Sequence, residues 1–256
     1  MQPIPNLTLL QFTKQTRREL GTGYPPSGWY CLDTHNSVQP CDSSVLLVRK
    51  AISASTTDFE ELKHFMQTRV ATDVSVFGPI VPRKQCTFGP YRYKQYQLFS
   101  NVDEWPSLVN IVLAFTQQLA TGLQIPNPDK YNAVHTNYYA DGDSTVMKHS
   151  DMEHQLVLGA PIFSFTFIED NDDSRARPFT IFRKREAMHI EPNPDLRSKY
   201  KLVDIVLQSG DLLVMQGDMQ TDFEHSIERV KTDPAPRINL TVRQFVDATV
   251  LKRKPA

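Results

Sequence analysis

From Tyr131 onward the chain divides into short β-prone runs, and this pattern limits the possible folds more than any other feature. The runs AVHTNYYA, PIFSFTFI, PFTIF, LVDIVL, DLLVM and RINLTVRQF are rich in β-branched and aromatic residues, and Gly, Asp, Asn and Pro separate them. Many short strands with irregular turns close into a sandwich or barrel rather than a parallel α/β sheet. The segments 170–177 and 191–197 are so polar that they must be loops. Ahead of the strands, TTDFEELKHFMQTRV carries Phe59, Leu62, Phe65, Met66 and Val70 at helical spacing, with Thr57 or Asp58 as the cap. A second helix is expected from Pro106 through Leu119, with Leu108, Ile111, Val112, Phe115 and Leu119 along one face. Proline is tolerated at a helix start because its missing N–H would be unpaired there anyway. Helices before and strands after predict a mainly β (α+β) domain, a jelly roll supported on one side by N-terminal helices.

The turn formers Pro25-Pro26-Ser27-Gly28 and Pro40-Cys41-Asp42 mark residues 1–55 as an arm or extension of unknown role, leaving 56–256 as the folded domain. With 40% hydrophobic and 22% charged residues, that domain can form a sizeable core. The formal net charge of -1 gives no global attraction to nucleic acid, so any such binding needs a local basic patch. Cys31, Cys41 and Cys86 are odd in number and form no C-x-x-C pair, which argues against a disulfide framework. The first twenty residues lack the apolar run of a signal peptide, and no stretch is apolar enough to span a membrane. The expectation is an intracellular protein, nuclear or cytoplasmic, with no membrane partner.

Two patterns point to chemistry. In His149-Ser150-Asp151 the two potential ligands stand at i and i+2, so in a strand both leave the same face and can reach one metal. His225, in FEHSIERV just past DLLVM, is the best third ligand. Two His and one carboxylate leave open positions on the metal, the arrangement suited to iron(II) oxygenases. Alone, H-x-D is a weak signal in a chain with seven histidines, and a surface His and Asp on a polar turn give the same letters. The second pattern is RINLTVR, where Arg237, Asn239, Thr241 and Arg243 alternate with Ile238, Leu240 and Val242. An ordinary edge strand would alternate in the same way. Two arginines aimed into one cavity would suit a dicarboxylate, which guanidinium grips bidentately.

Together these motifs resemble the AlkB family of nucleic-acid dealkylases. The order is Asn137-Tyr138-Tyr139, His149-Ser150-Asp151, His225, then Arg237 to Arg243, and the likeness extends from about Val76 to Phe245. The resemblance implies the double-stranded β-helix version of the jelly roll. It implies that His149, Asp151 and His225 bind Fe(2+), and that Asn137, Tyr139, Arg237, Asn239 and Arg243 surround 2-oxoglutarate, with Arg237 and Tyr139 holding the distal carboxylate. The implied reaction is oxidative demethylation of N-alkylated bases in DNA or RNA. It consumes O2 and 2-oxoglutarate and releases succinate, CO2 and formaldehyde.

Upstream, VFGPIVPRKQCTFGPYRYKQY interleaves Arg83, Lys84, Arg92 and Lys94 with Phe77, Phe88, Tyr91, Tyr93 and Tyr96. Cations for phosphate and aromatic faces for bases suit single-strand or flipped-base binding, although plain exposed hairpins share this composition. By resemblance, residues about 76–100 form a nucleotide-recognition lid and Phe77 is a wedge for the flipped base. The stretch between VFG and PRKQ is shortened here, which puts the reach of Phe77 in question. Glu153 sits where the family reads the alkylated base, or is a solvated acid; Arg183 is a further candidate contact. The expected partner is nucleic acid carrying alkylated bases, acted on by a monomer. The same centre could instead act on a protein or small metabolite, or hold zinc for hydrolysis. The zinc reading leaves R-x-N-x-T-x-R without a task.

Overall fold

The computed structural model describes residues 18–32, 43–71, 83–91, 96–152, 156–157, 159–184 and 200–245. Strands β1 (Arg18–Glu19), β2 (Gly28–Cys31) and β3 (Ser44–Val48) precede helix α1 (Thr56–Arg69). Next come β4 (Arg83–Phe88), β5 (Gln97–Phe99) and helix α2 (Ser107–Gly122). The remaining elements are β6 (Tyr131–Tyr139), β7 (Val146–His149), β8 (Ile162–Ile168), β9 (Pro178–Arg183), β10 (Lys201–Val206), β11 (Asp211–Gln216), the one-turn helix α3 (Met219–Asp222), β12 (Phe223–Ile227) and β13 (Arg237–Gln244).

These strands form a nine-stranded sheet in the order β1-β2-β3-β11-β8-β13-β6-β4-β5 and a four-stranded sheet in the order β10-β9-β12-β7. Side chains alternate across each strand, so the large sheet has two apolar faces. Leu46, Phe163, Phe165, Leu212, Val214, Ile238, Leu240 and Val242 belong to a core shared with Leu62, Met66, Leu108 and Val112 of the helices. Val45, Leu47, Leu213 and Met215 face the other way and pack with Phe179, Ile181, Phe223 and Ile227 of the small sheet. Burying a side chain of this size stabilises by about 1.5–3 kcal/mol, which is why both faces stay closed. The arrangement is a double-stranded β-helix with two helices on one outer face. Among the described residues no helix is long and apolar enough to cross a membrane.

Four features depart from the sequence reading. The cap of α1 is Ser55, two or three residues earlier than expected: its Oγ accepts from Asp58 N at 3.1 Å, and Asp58 Oδ2 accepts from Ser55 N at 3.0 Å. On α2, Ile111 is exposed, and Val109, Thr116 and Ala120 complete the buried stripe. The boundary at residue 55 falls inside the fold. Strand β3, SVLLV, is buried throughout and pairs antiparallel with β11, because four consecutive apolar residues need cover on both faces. Finally, Cys86 is free and buried, whereas Cys31 is disulfide-bonded.

Candidate metal centre and co-substrate cleft

The small sheet brings the two imidazoles together by register. His225 on β12 lies directly opposite His149 on β7, and their ring centroids are 4.3 Å apart. Asp151 stands two residues beyond the end of β7, in the loop rather than in the strand as expected. Its backbone N–H donates to Gln220 Oε1 at 2.8 Å, so α3 pins the loop beside β12. One ligand atom from each of His149, Asp151 and His225 lies within 4.8 Å of the others.

The protonation states suit a cation. His149 Nδ1 donates to the Met147 carbonyl at 2.9 Å, leaving Nε2 as the nitrogen that faces Asp151 Oδ1, 3.7 Å away. Burial drives the His225 imidazole toward neutrality, helped by His149, Arg243 and Lys184 against Asp151, and its pKa falls to about 3. For Asp151, burial raises the pKa, but Arg243, His225 and His149 outweigh it and hold the carboxyl well below the usual range. Asp151 Oδ1 is 2.7 Å from Arg243 Nη2. Asp151 Oδ2 and His225 Nδ1 are buried without a hydrogen-bond partner. Stranded acceptors cost free energy when buried, and a divalent cation among them removes that cost. The neutral His225 imidazole, the His149 ring and one carboxylate therefore fit an iron(II) ion.

The residues expected to hold the co-substrate stand on β6 and β13. In register, Arg237 faces Tyr139, Asn239 faces Asn137, and Arg243 faces Ala133. Strand β13 is central, flanked by β6 and β8, so its polar row is buried and the edge-strand reading of RINLTVR fails. Arg237 is 3% exposed, and its Nη2 donates to Thr166 Oγ1 at 3.0 Å. Its Nε and Nη1 have no partner, although they are buried. Burial, aided by Arg177 and opposed by Tyr139, lowers its pKa to about 10, which keeps it cationic at neutral pH. Arg237 and Arg177 lie 5.5 Å and 5.3 Å from the centre of the Tyr139 ring. Two buried guanidinium nitrogens without a partner suit a carboxylate.

The other expected residues divide. Asn239 is fully engaged, donating to Ser164 Oγ at 2.9 Å and Phe165 O at 2.7 Å while accepting from Thr241 Oγ1. It fastens β13 to β8. Arg243 sits at the metal end, about 20 Å of strand away from Arg237. Arg83 points inward: it donates to Asn137 Oδ1 at 3.0 Å, Thr145 O at 2.6 Å and Gln85 Oε1 at 3.1 Å. It therefore orients the Asn137 amide, which corrects its expected contact with phosphate. One face of Tyr91 is stacked on Phe245, and Arg183 lies 5.1 Å from the centre of the Phe223 ring. Phe77, Tyr93 and Glu153 lie outside the described residues.

Two residues of the site escaped the sequence reading. Gln220 holds the Asp151 loop. Arg177 lies in a stretch read as a polar loop, yet it is 5% exposed and donates to the carbonyls of Asp141 and Ser144. Nothing local marks either residue, because their partners are 33 to 69 positions away in the chain.

Comparison with known proteins agrees with this geometry. The pattern of the 2OG-Fe(II) oxygenase superfamily matches residues 42–243. The DNA oxidative demethylase ALKBH2 of Bos taurus is 28% identical over 214 residues, covering 82% of this chain and 70% of that one. The Mus musculus ALKBH2 is 30% identical over 211 residues, covering 80% of each chain. The alpha-ketoglutarate-dependent dioxygenase alkB homolog 3 of Mus musculus is 28% identical, covering 63% of this chain and 51% of that one. Among solved structures, a Trichoplax adhaerens prolyl hydroxylase bound to a hypoxia inducible factor peptide superposes with a TM-score of 0.51 at 11% identity, over 82% of this chain and 87% of that one, which speaks for the fold alone. The chain belongs to the 2OG-Fe(II) oxygenase superfamily and, within it, to the AlkB family of dioxygenases, which use iron(II), 2-oxoglutarate and O2.

Proposed function

We propose that this protein oxidatively demethylates N-alkylated bases in DNA or RNA, with His149, Asp151 and His225 as the iron ligands. The observations that carry the reading are a buried Arg237 with two unpartnered guanidinium nitrogens and a converging His-Asp-His cluster. Its likeness to relatives named as DNA oxidative demethylases supplies the substrate class. When bound, iron(II) with 2-oxoglutarate and O2 supplies the oxidising power, and the 2-oxoglutarate leaves as succinate and CO2.

The protein's part is positioning. Arg237, beside Tyr139, takes the distal carboxylate of 2-oxoglutarate through charge-assisted hydrogen bonds. Arg83 keeps the Asn137 amide turned toward the cleft. His225 offers a neutral nitrogen and Asp151 stays ionised, so neither must lose a proton before the metal binds. Burial of Asp151, His225 and Arg237 keeps water from them, and oxidation of a target C–H then depends on geometry. A hydroxylated N-methyl group collapses to formaldehyde and the free base without further help from the protein. Glu153 and Phe77 remain the proposed base-reading acid and wedge.

Formaldehyde release from 3-methylcytosine or 1-methyladenine in single-stranded DNA, RNA and duplex tests the proposal. Release that needs iron(II) and 2-oxoglutarate supports it. Succinate formation stimulated by methylated peptides or free metabolites, with no response to any oligonucleotide, would refute it.

A further inference from the structure

One side chain in the row that lines the cleft has no role so far. His135 precedes Asn137 and Tyr139 on β6 by two and four residues, so it shares their face of the sheet. It is 7% exposed. Its cross-strand partner is Thr241, which places it toward the metal end of the cleft. His135 Nδ1 lies 3.3 Å from Arg243 Nη1, and Arg243 Nη2 lies 2.7 Å from Asp151 Oδ1. On the far side, Tyr96 lies flat on the imidazole, with ring centroids 5.0 Å apart and planes 6° from parallel. An unbroken line of contacts thus joins the 76–100 segment to a proposed metal ligand: Tyr96, His135, Arg243, Asp151.

The chemistry of these contacts is directional. Guanidinium can only donate, so in this contact the His135 nitrogen that faces it accepts through its lone pair. Arginine has a long, rotatable stem, and one ion pair leaves the fork free to turn about that contact. A second acceptor on the other terminal nitrogen removes this freedom and fixes the plane of the fork. An apolar side chain of similar size would fill the same space without supplying an acceptor.

We propose that His135 is a positioning residue for the oxygenase reaction. It accepts from Arg243 and thereby fixes the guanidinium that aims the Asp151 carboxylate at the metal, while Tyr96 holds the imidazole plane. This inference rests on Asp151 being a metal ligand and does not depend on the nucleic-acid substrate.

The test is cobalt(II) binding to the metal-free full chain in the presence of 2-oxoglutarate, followed by the visible spectrum of the bound ion. Wild type, His135→Leu, His135→Gln and His149→Ala are compared, each with its thermal midpoint. Outer partners of metal ligands typically change affinity by about 10–100-fold. His135→Leu is expected to weaken cobalt binding by about tenfold or more with little change in midpoint. His135→Gln, whose amide oxygen can accept from Arg243, is expected to recover most of the affinity. Wild-type affinity in His135→Leu would overturn the proposal. So would equal losses in the Leu and Gln variants that track a fall in midpoint, since packing alone would then explain them. Unchanged binding in His149→Ala would show that the metal reading itself is wrong, and the proposal would fall with it.

Discussion

The substitution Arg237→Met separates a ligand-binding arginine from a structural one, because the two roles predict opposite outcomes. In the folded protein two N–H groups of Arg237 are buried without partners, and burial has already lowered its pKa to about 10. An unbranched apolar side chain of similar reach removes that penalty and gives up one hydrogen bond to Thr166 Oγ1. The ligand-free protein should therefore hold its stability within about 1 kcal/mol. For 2-oxoglutarate the loss is large. Two charge-assisted hydrogen bonds, at about 1.5 kcal/mol each as a lower value, amount to a Kd raised by roughly 100-fold. At a co-substrate concentration of about 100 times the wild-type Kd, wild type gains about 2.7 kcal/mol from binding and the variant only about 0.4. For a chain of this size the difference is a shift in midpoint of roughly 5–9 °C. Differential scanning fluorimetry with manganese(II), with and without 2-oxoglutarate, reads it directly. Equal thermal shifts in the two proteins, or a variant that unfolds several degrees lower before any ligand is added, would refute the reasoning.

Other expectations follow from the same geometry. Asp151→Asn and His149→Ala should both reduce turnover to background and abolish stoichiometric metal binding while circular dichroism stays native; retained 2-oxoglutarate-dependent activity in either would contradict the ligand set. The metal-free protein should lose stability in acid. Unfolded His225 takes up a proton near pH 6.5, whereas the folded imidazole resists until about 3. Between those values the unfolded state binds more protons, so stability falls as pH falls. Urea midpoints that are equal or higher at about pH 5 than at about pH 7.5 would count against this account. Ser55→Ala removes the cap of α1 and should cost about 1 kcal/mol with kcat and KM unchanged; a change in either constant would show that α1 influences the cleft.

The strand RINLTVR was legible because its alternation is strict: one glance separates Ile238, Leu240 and Val242 from Arg237, Asn239, Thr241 and Arg243. What the letters did not show was its central place, since an edge strand and a strand lining a buried cleft alternate alike. The pairing of His149 with His225 was readable only through the order of motifs, because their meeting depends on the register of β7 and β12. The run SVLLV did carry a signal for β3, but the turn formers that precede it give the surrounding stretch the composition of a loop. Gln220 and Arg177 act through contacts distant in sequence, and a polar letter in a polar stretch looks solvated. Arg83 looked like a phosphate contact for the same reason: composition names a charge but does not say which way it points.

The location of β13 within the large sheet has a consequence for how the molecule is made. Residues 237–244 follow both β6 and β8 in the sequence, yet they fill the gap between them. Until the ribosome has released them, those two strands present raw edges and a half-built cleft, a state open to mispairing with other chains. Closure of the large sheet is thus held back until β13 has been made.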